Sequence, residues 1–199
     1  MELKEIFTFE NLYEAYKECR KSKQHKGEVI RFETNLSSNI TNLMNEIITK
    51  KYKLGKYKEF LIYEPKKRII EALPFRDRVV IKCFCDVSLK DKIDRKLIYD
   101  NAACRKYKGT TFAIKRLEKF LRGEYRKGQD NNVYFLKCDI RKYFQSIDHE
   151  ILLNLLKNID FSSDEMWMIE KLVKEQPNNA NVGLPLGYRN FIIMESNII

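Results

Sequence analysis

The 199-residue sequence has few glycines (7) and few prolines (4), which excludes a collagen-like or low-complexity chain. It contains no run of about 20 uncharged apolar residues, so no membrane-spanning helix and no membrane partner are predicted. The acidic start, Met1-Glu2-Leu3-Lys4-Glu5, lacks the apolar stretch of a signal peptide. The five cysteines are odd in number and scattered, which disfavours a disulfide framework or a zinc site and favours a cytoplasmic location.

Charge is abundant and unevenly distributed. The chain carries 38 basic and 28 acidic residues, a net charge of +10, while 44% hydrophobic residues argue against intrinsic disorder. Residues 1–130 hold 31 basic and 19 acidic side chains, a net charge of +12, whereas residues 131–199 hold 7 and 9, a net charge of −2. A basic region of this kind indicates a polyanionic partner, most often nucleic acid, with a solvated basic surface as the alternative.

Apolar residues spaced three and four apart predict several helices. The first predicted helix is capped by Thr8, the second has an apolar face from Val29 to Ile47, and the third spans Phe75–Val87. A fourth opens at Gly109 and carries an apolar stripe. A fifth spans His149–Leu156, and a sixth follows the capping box Ser162-x-x-Glu165. Residues 60–63 and 68–73 predict two strands joined at Pro65-Lys66. Residues 123–132 resemble a polar loop, and the apolar run 133–139 is typical of a central strand buried on both faces. Such mixing without strict alternation predicts an α+β fold.

One segment carries a specific motif. It comprises Leu136-Lys-Cys-Asp-Ile-Arg-Lys-Tyr-Phe-Gln-Ser-Ile-Asp-His149, and it resembles motif A of bacterial reverse transcriptases of the group II intron, retron and diversity-generating retroelement types. The resemblance implies that Asp139 and the backbone carbonyl of Ile140 bind Mg²⁺, and that Phe144 rejects a ribose 2′-hydroxyl. It places Asp148 and His149 at the structural end of the motif.

Two upstream blocks are similar to the fingers of the same family. In the first, Glu64 to Val80, the resemblance implies that Arg68, helped by Lys66 or Lys67, grips the incoming triphosphate; cationic side chains on a hairpin suit that role. The second, Ala103-Cys-Arg-Lys-Tyr-Lys-Gly-Thr110, implies template-backbone contacts by Arg105, Lys106 and Lys108. Tyr107 stands where the family usually has glycine, so a positive φ at this position would be strained.

Near the end of the sequence, Gly183-Leu-Pro-Leu-Gly187 resembles the opening of motif B, but the usual Ser-Gln pair does not follow. The Tyr-x-Asp-Asp of motif C is not in the sequence, and no two aspartates are adjacent. The resemblance therefore implies fingers over residues 1–130 and part of a palm over 131–199 of a right-hand polymerase. A frameshift or premature stop within motif B is the hypothesis for residues 188–199.

The function implied is RNA-directed DNA polymerisation, a nucleotidyl transfer with Mg²⁺ on an RNA template, a DNA primer and dNTP. Because Asp139 alone does not hold two Mg²⁺ ions, the isolated chain is expected to be inactive. Two alternatives stay open. The first is a non-catalytic RNA- or DNA-binding module, which the basic residues 1–130 and the tyrosines among the lysines of 50–58 support. The second is a vestigial product without a stable fold.

Overall fold

Helices make up most of the structure, and a single β-hairpin interrupts them in the described residues. The computed structural model describes residues 1–63, 67–103, 105–127, 134–175 and 181–184. The elements are α1 (Leu3–Ile6), α2 (Phe9–Arg20), α3 (Gly27–Thr34), α4 (Leu36–Ile48), β1 (Lys58–Ile62), β2 (Arg68–Ala72), α5 (Phe75–Phe84), a π-helical turn (Cys85–Leu89), α6 (Lys90–Asp94), α7 (Thr110–Arg126), α8 (Tyr143–Ser146), α9 (His149–Leu156) and α10 (Ser163–Lys174). A helix-rich chain with a small antiparallel sheet agrees with the predicted α+β class.

The N-terminal helices begin where their caps predict and break at one unexpected place. Thr8 Oγ1 accepts a hydrogen bond from the Asn11 amide at 3.1 Å, a cap worth about 1 kcal/mol. The single helix expected from Val29 to Ile47 is wrong, because Asn35 adopts a non-helical backbone between α3 and α4. The Asn39 side chain donates to the carbonyl of Phe32 at 2.9 Å, which satisfies a free acceptor at the end of α3 and stabilises the break.

An aromatic cluster within the larger hydrophobic core lies where α2, α3 and α5 meet. Tyr16, Phe32 and Phe75 pack with ring centroids 5.4–6.3 Å apart, in tilted and edge-to-face geometries. The buried face predicted for α5 is confirmed, including Val79 and Phe84. The predicted end of that helix at Val87 is wrong, because helical structure continues through the π-helical turn into α6.

Helix α10 is fastened to the chain start by a buried carboxylate. The predicted capping box is confirmed, with the amide of Glu165 donating to Ser162 Oγ at 3.2 Å and the Ser162 amide donating to the Glu165 carboxylate at 2.7 Å. The same fully buried carboxylate accepts from Ser88 Oγ and from Lys92 Nζ, both at 2.7 Å. The amino group of Met1 lies 3.5 Å from it.

The predicted hairpin is confirmed as an antiparallel pair, with Phe60 opposite Ile70 and Ile62 opposite Arg68. The expected turn at Pro65-Lys66 lies outside the described residues. All five residues of β1 are exposed, whereas Ile70, Glu71 and Ala72 of β2 are half-buried. The anchor of the hairpin is the buried Asp77 at the start of α5, which accepts from Tyr52 Oη at 2.7 Å and from the amide of Gly55 at 3.1 Å.

Two apolar segments lie at the surface, and for one of them the predicted burial is wrong. Helix α7 forms, but none of its residues is buried, and its apolar stripe of Ile114, Leu117, Phe120 and Leu121 faces solvent. It also runs to Arg126, into the predicted loop, where ion pairs such as Arg122–Glu118 link successive turns. Residues 134–140 are not a central strand: in the described chain they have no ladder partner, and Leu136 is 90% exposed. A central strand needs neighbours on both edges, and the described residues place none beside this segment.

Candidate functional site

Asp139, the residue that the motif marks as a metal ligand, lies on the exposed segment 134–140. Ile140, whose carbonyl is the second predicted ligand, is 47% exposed. Mg²⁺ requires near-octahedral coordination by oxygen and gives up its water reluctantly. No group of three or more His, Cys, Asp or Glu side chains able to hold a metal occurs within the part of the chain that the structure describes. The described residues on their own therefore do not supply the ligands for the pair of Mg²⁺ ions that the resemblance implies.

Downstream of Asp139, a left-handed residue redirects the chain into a short helix. Lys142 has φ 51°, and its carbonyl accepts from the amides of Gln145 and Ser146 at 3.0 and 3.1 Å. Helix α8 then presents Tyr143 and Phe144 with their ring centroids 5.8 Å apart at 73°. Phe144, the predicted sugar-sensing residue, is half-buried on this helix.

The end of the segment that resembles motif A is hydrogen-bonded to the start of the segment that resembles motif B. The amide of Leu184 donates to the carbonyl of Phe144 at 2.8 Å, and the amide of Gly183 donates to the carbonyl of Ile147 at 2.8 Å. Asp148 and Val182 form an isolated antiparallel bridge. The two segments that the sequence picks out separately thus form one hydrogen-bonded unit.

His149 strengthens that unit, which the sequence alone did not predict. Its buried Nε2 lies 2.7 Å from the carbonyl of Gly183, and its amide donates to the carbonyl of Asn181 at 3.0 Å. Asp148 caps α9 by accepting from the Ile151 amide at 2.9 Å. Asp148 and His149 therefore have structural contacts, as the resemblance implied. Gly183 has φ 98°, which accounts for a glycine at this position.

The predicted triphosphate-binding residues lie at the hairpin. Lys67 is exposed just before β2, whereas Lys66 and the side chain of Arg68 are outside the described part of the chain. Glu59 and Glu71 face each other across the two strands. Partial burial, and then the like charge of Glu59, raise the pKa of Glu71. The described hairpin therefore presents carboxylates as well as a lysine.

The three predicted template-binding cations have different surroundings. Arg105 is held by the chain itself: its guanidinium donates to the carbonyls of Ile98 and Asp94 at 3.0 and 3.3 Å and pairs with the Asp94 carboxylate. Lys106 is exposed, with its ammonium 5.1 Å from the ring centroid of Tyr107. Lys108 lies over the Tyr99 ring, and desolvation followed by the charge of Arg105 lowers the pKa of Lys108. Lys106 is thus the cation of this block most available to a ligand.

Comparison with solved structures identifies the fold that these elements form. One chain, from a partial Cas6-RT-Cas1–Cas2 complex, superposes with a TM-score of 0.61 at 20% sequence identity and covers 98% of this protein. A chain of the Cas6-RT-Cas1–Cas2 complex matches equally well. Both complexes contain a reverse transcriptase, and this protein spans 33% and 21% of the two chains' lengths. At this identity the likeness shows a shared fold.

No family model and no curated protein matches the sequence. Across the described ranges, no helix combines the length and the apolar character needed to cross a bilayer.

Proposed function

We propose that this chain forms the fingers, residues 1–130, and the first part of the palm, residues 131–199, of an RNA-directed DNA polymerase of the retroelement type. The observation that carries the proposal is the hydrogen-bonded pairing of residues 144–149 with residues 181–184. Residues 144–149 and the pair Gly183 and Leu184 belong to the two segments that resemble separate polymerase motifs in the sequence, and the fold brings them into contact. The fold likeness to chains of reverse-transcriptase complexes is a second, independent support.

In this proposal each part of the chain has a defined task. Lys67, with Lys66 and Arg68, binds the triphosphate of dNTP at the exposed hairpin, and Lys106 and Lys108 contact the template backbone. Phe144, held by its carbonyl bond to Leu184, limits the space beside the nucleotide sugar. Asp139 contributes one carboxylate to the reaction centre. The basic charge of residues 1–130 attracts the RNA template and the DNA primer, because binding releases the counterions of the phosphates.

Among the residues that the structure describes, Asp139 has no group of carboxylate neighbours of the kind that nucleotidyl transfer with two metal ions requires. We therefore expect the 199-residue protein to bind nucleic acid without extending a primer. The test is a primer-extension assay on an RNA template with a labelled DNA primer, dNTP and Mg²⁺, alongside binding measured over a range of salt. Extension that disappears in Asp139→Ala would overturn the expected inactivity, and absence of any nucleic-acid binding would overturn the polymerase proposal.

A second candidate is a nucleic-acid-binding module that does not catalyse in any context. The exposure of Asp139 and the net charge of +12 over residues 1–130 favour it. A version of the chain continued through a Tyr-x-Asp-Asp segment separates the two candidates. Asp139-dependent extension by that version supports the polymerase, whereas salt-sensitive binding without extension supports the module.

A further inference from the structure

Aromatic rings and cations cluster on the surface between α6 and the first turns of α7. We define the Tyr99 surface as the mutually contacting residues Tyr99, Lys108, Phe112 and Arg116, together with the pair Lys106 and Tyr107 that directly precedes Lys108 in the chain. The ammonium of Lys108 is 4.3 Å from the Tyr99 ring centroid and 4.6 Å from that of Phe112. The guanidinium carbon of Arg116 is 5.1 Å from the Tyr99 centroid. Tyr99 and Phe112 contact each other edge to face, with centroids 5.8 Å apart at 65°.

Two of the cations are held in place by the chain. Lys108 donates a hydrogen bond to the backbone carbonyl of Tyr99. Arg116 forms a two-pronged pair with Asp100, with one Nη2–Oδ2 distance of 3.0 Å. Side chains fixed before a ligand arrives lose less conformational entropy when they bind it. The Tyr99 surface is therefore preorganised around an exposed aromatic ring.

The two tyrosines show large ring areas to solvent. Tyr99 is 66% exposed and Tyr107 is 91% exposed. Tyr107 also has φ 62°, in the left-handed region that disfavours a residue with a Cβ atom. A ring this exposed contributes little to the stability of the fold through burial. A strained, exposed aromatic residue next to Lys106 points to a contact made outside the folded chain.

We propose that the Tyr99 surface binds single-stranded nucleic acid by stacking unpaired bases on Tyr99 and Tyr107. Lys106, Lys108 and Arg116 contact the adjacent phosphates. The inference rests on the proposed function, because it takes nucleic acid as the ligand. It adds aromatic rings that stack on the bases to the cations that contact only the phosphate backbone. In a duplex the base faces are occupied by stacking on one another, so an exposed ring favours an unpaired strand.

Charge complementarity supports a nucleic acid as the occupant. Residues 95–127 carry 11 basic and 3 acidic side chains, a net charge of +8. Each base that stacks on an aromatic side chain contributes about 1–3 kcal/mol, which corresponds to at least about a fivefold change in affinity. That effect is large enough to measure against the electrostatic background.

The experiment compares three labelled probes of about 12 nucleotides, a length within the usual range of single-strand sites. They are oligo(dT), oligo(U) and an abasic oligodeoxynucleotide with the same number of phosphates, and binding is followed by fluorescence anisotropy. The abasic probe keeps the phosphate attraction and removes the stacking. We expect the protein to bind oligo(dT) or oligo(U) at least about fivefold more tightly than the abasic probe.

Variants assign the effect to the rings. Tyr107→Gly and Tyr99→Leu are each expected to weaken binding of the base-containing probe by about fivefold or more and to leave the abasic probe within about twofold. Tyr107→Phe and Tyr99→Phe keep a ring and should bind like the parent. Tyr125→Leu is the matched control, because Tyr125 is 84% exposed and lies at the end of α7 opposite to the Tyr99 surface. Thermal melting identifies any variant that fails to fold, and the comparison of base-containing with abasic probes on the parent protein then carries the test.

The outcomes separate the two proposals. Equal affinity for base-containing and abasic probes, or ring variants that weaken both probes alike, would overturn the stacking inference and leave the proposed function standing. Failure to bind any probe would overturn the proposed function and this inference with it. Ring-dependent binding supports the inference with either strand, and the tighter of oligo(U) and oligo(dT) identifies RNA or DNA as the source.

Discussion

The carboxylate of Glu165 is fully buried and holds the chain start, α6 and α10 together. Burial alone acts to raise its pKa, but the ammonium of Lys92, the Ser162 amide and the Ser88 hydroxyl lower the pKa of Glu165 to about 2, from an ordinary 4.5. Each unit of pKa difference corresponds to about 1.4 kcal/mol, so the charged form contributes about 3 kcal/mol to folding. That is a large share of the stability of a single domain.

The perturbation is Glu165→Gln, which preserves the shape and removes the charge. It leaves the Lys92 ammonium without its anion, and we expect the free energy of unfolding near pH 7 to fall by about 3 kcal/mol. The assay is urea denaturation followed by circular dichroism. The conservative control is Glu170→Gln: Glu170 and Lys174 form an exposed pair at 3.4 Å, whose loss should cost less than about 1 kcal/mol.

The pH dependence of the stability difference tests whether the Glu165 network is assigned correctly. Because the folded pKa lies below the unfolded one, the Glu165 contribution is complete above about pH 4.5 and disappears as the pH falls towards 2. The stability difference between the parent and Glu165→Gln should therefore shrink below about pH 4.5. A difference that stays constant between about pH 7 and 3, or one under about 1 kcal/mol at neutral pH, would refute the assigned network.

Three further predictions concern positions where the backbone conformation or the available space favours glycine. Tyr107→Gly should raise the free energy of unfolding by about 1 kcal/mol by removing left-handed strain, and an unchanged or lower value would count against that strain. Gly183→Ala should lower it by about 1 kcal/mol or more, because φ is 98° and a Cβ meets the Gln145 carbonyl at 3.4 Å; urea denaturation measures both. Gly55→Ala places a Cβ 2.7 Å from Pro74 and 2.8 Å from the buried Asp77 carboxylate, so a loss of about 1–3 kcal/mol is expected. Gly27→Ala, which has open space, is the control for Gly55→Ala.

Elements with local signals were predictable from the sequence. The Thr8 cap, the Ser162–Glu165 capping box and the hairpin each depend on residues a few positions apart, so their interactions can be recognised from spacing alone. The start of the helix at Thr110 and its apolar stripe were also predicted, whereas its end at Arg126 lies within the loop predicted for residues 123–132. Periodicity identifies an amphipathic face, but it does not say which element covers that face, and in the described chain this one is exposed.

The failures share a long-range cause. A run such as residues 134–140 becomes a central strand only when other strands lie on both of its edges, which its own composition does not specify. The contact of His149 with Gly183 joins positions 34 residues apart and has no local signature. The break at Asn35 depends on a side-chain bond from Asn39, which spacing of apolar residues does not reveal.

Stability and candidate function lie on different parts of the molecule. Buried groups such as Glu165 and Asp77 fasten the helical body, whereas Asp139, Lys67 and Lys106 are exposed. Exposed side chains of this kind contribute little to folding, and their replacement usually changes stability by less than about 0.5 kcal/mol. Substitutions at these three residues should therefore leave the urea transition unchanged, so that any loss of nucleic-acid binding reports on the ligand contact itself. A variant that lost both stability and binding would instead place its side chain in the helical body.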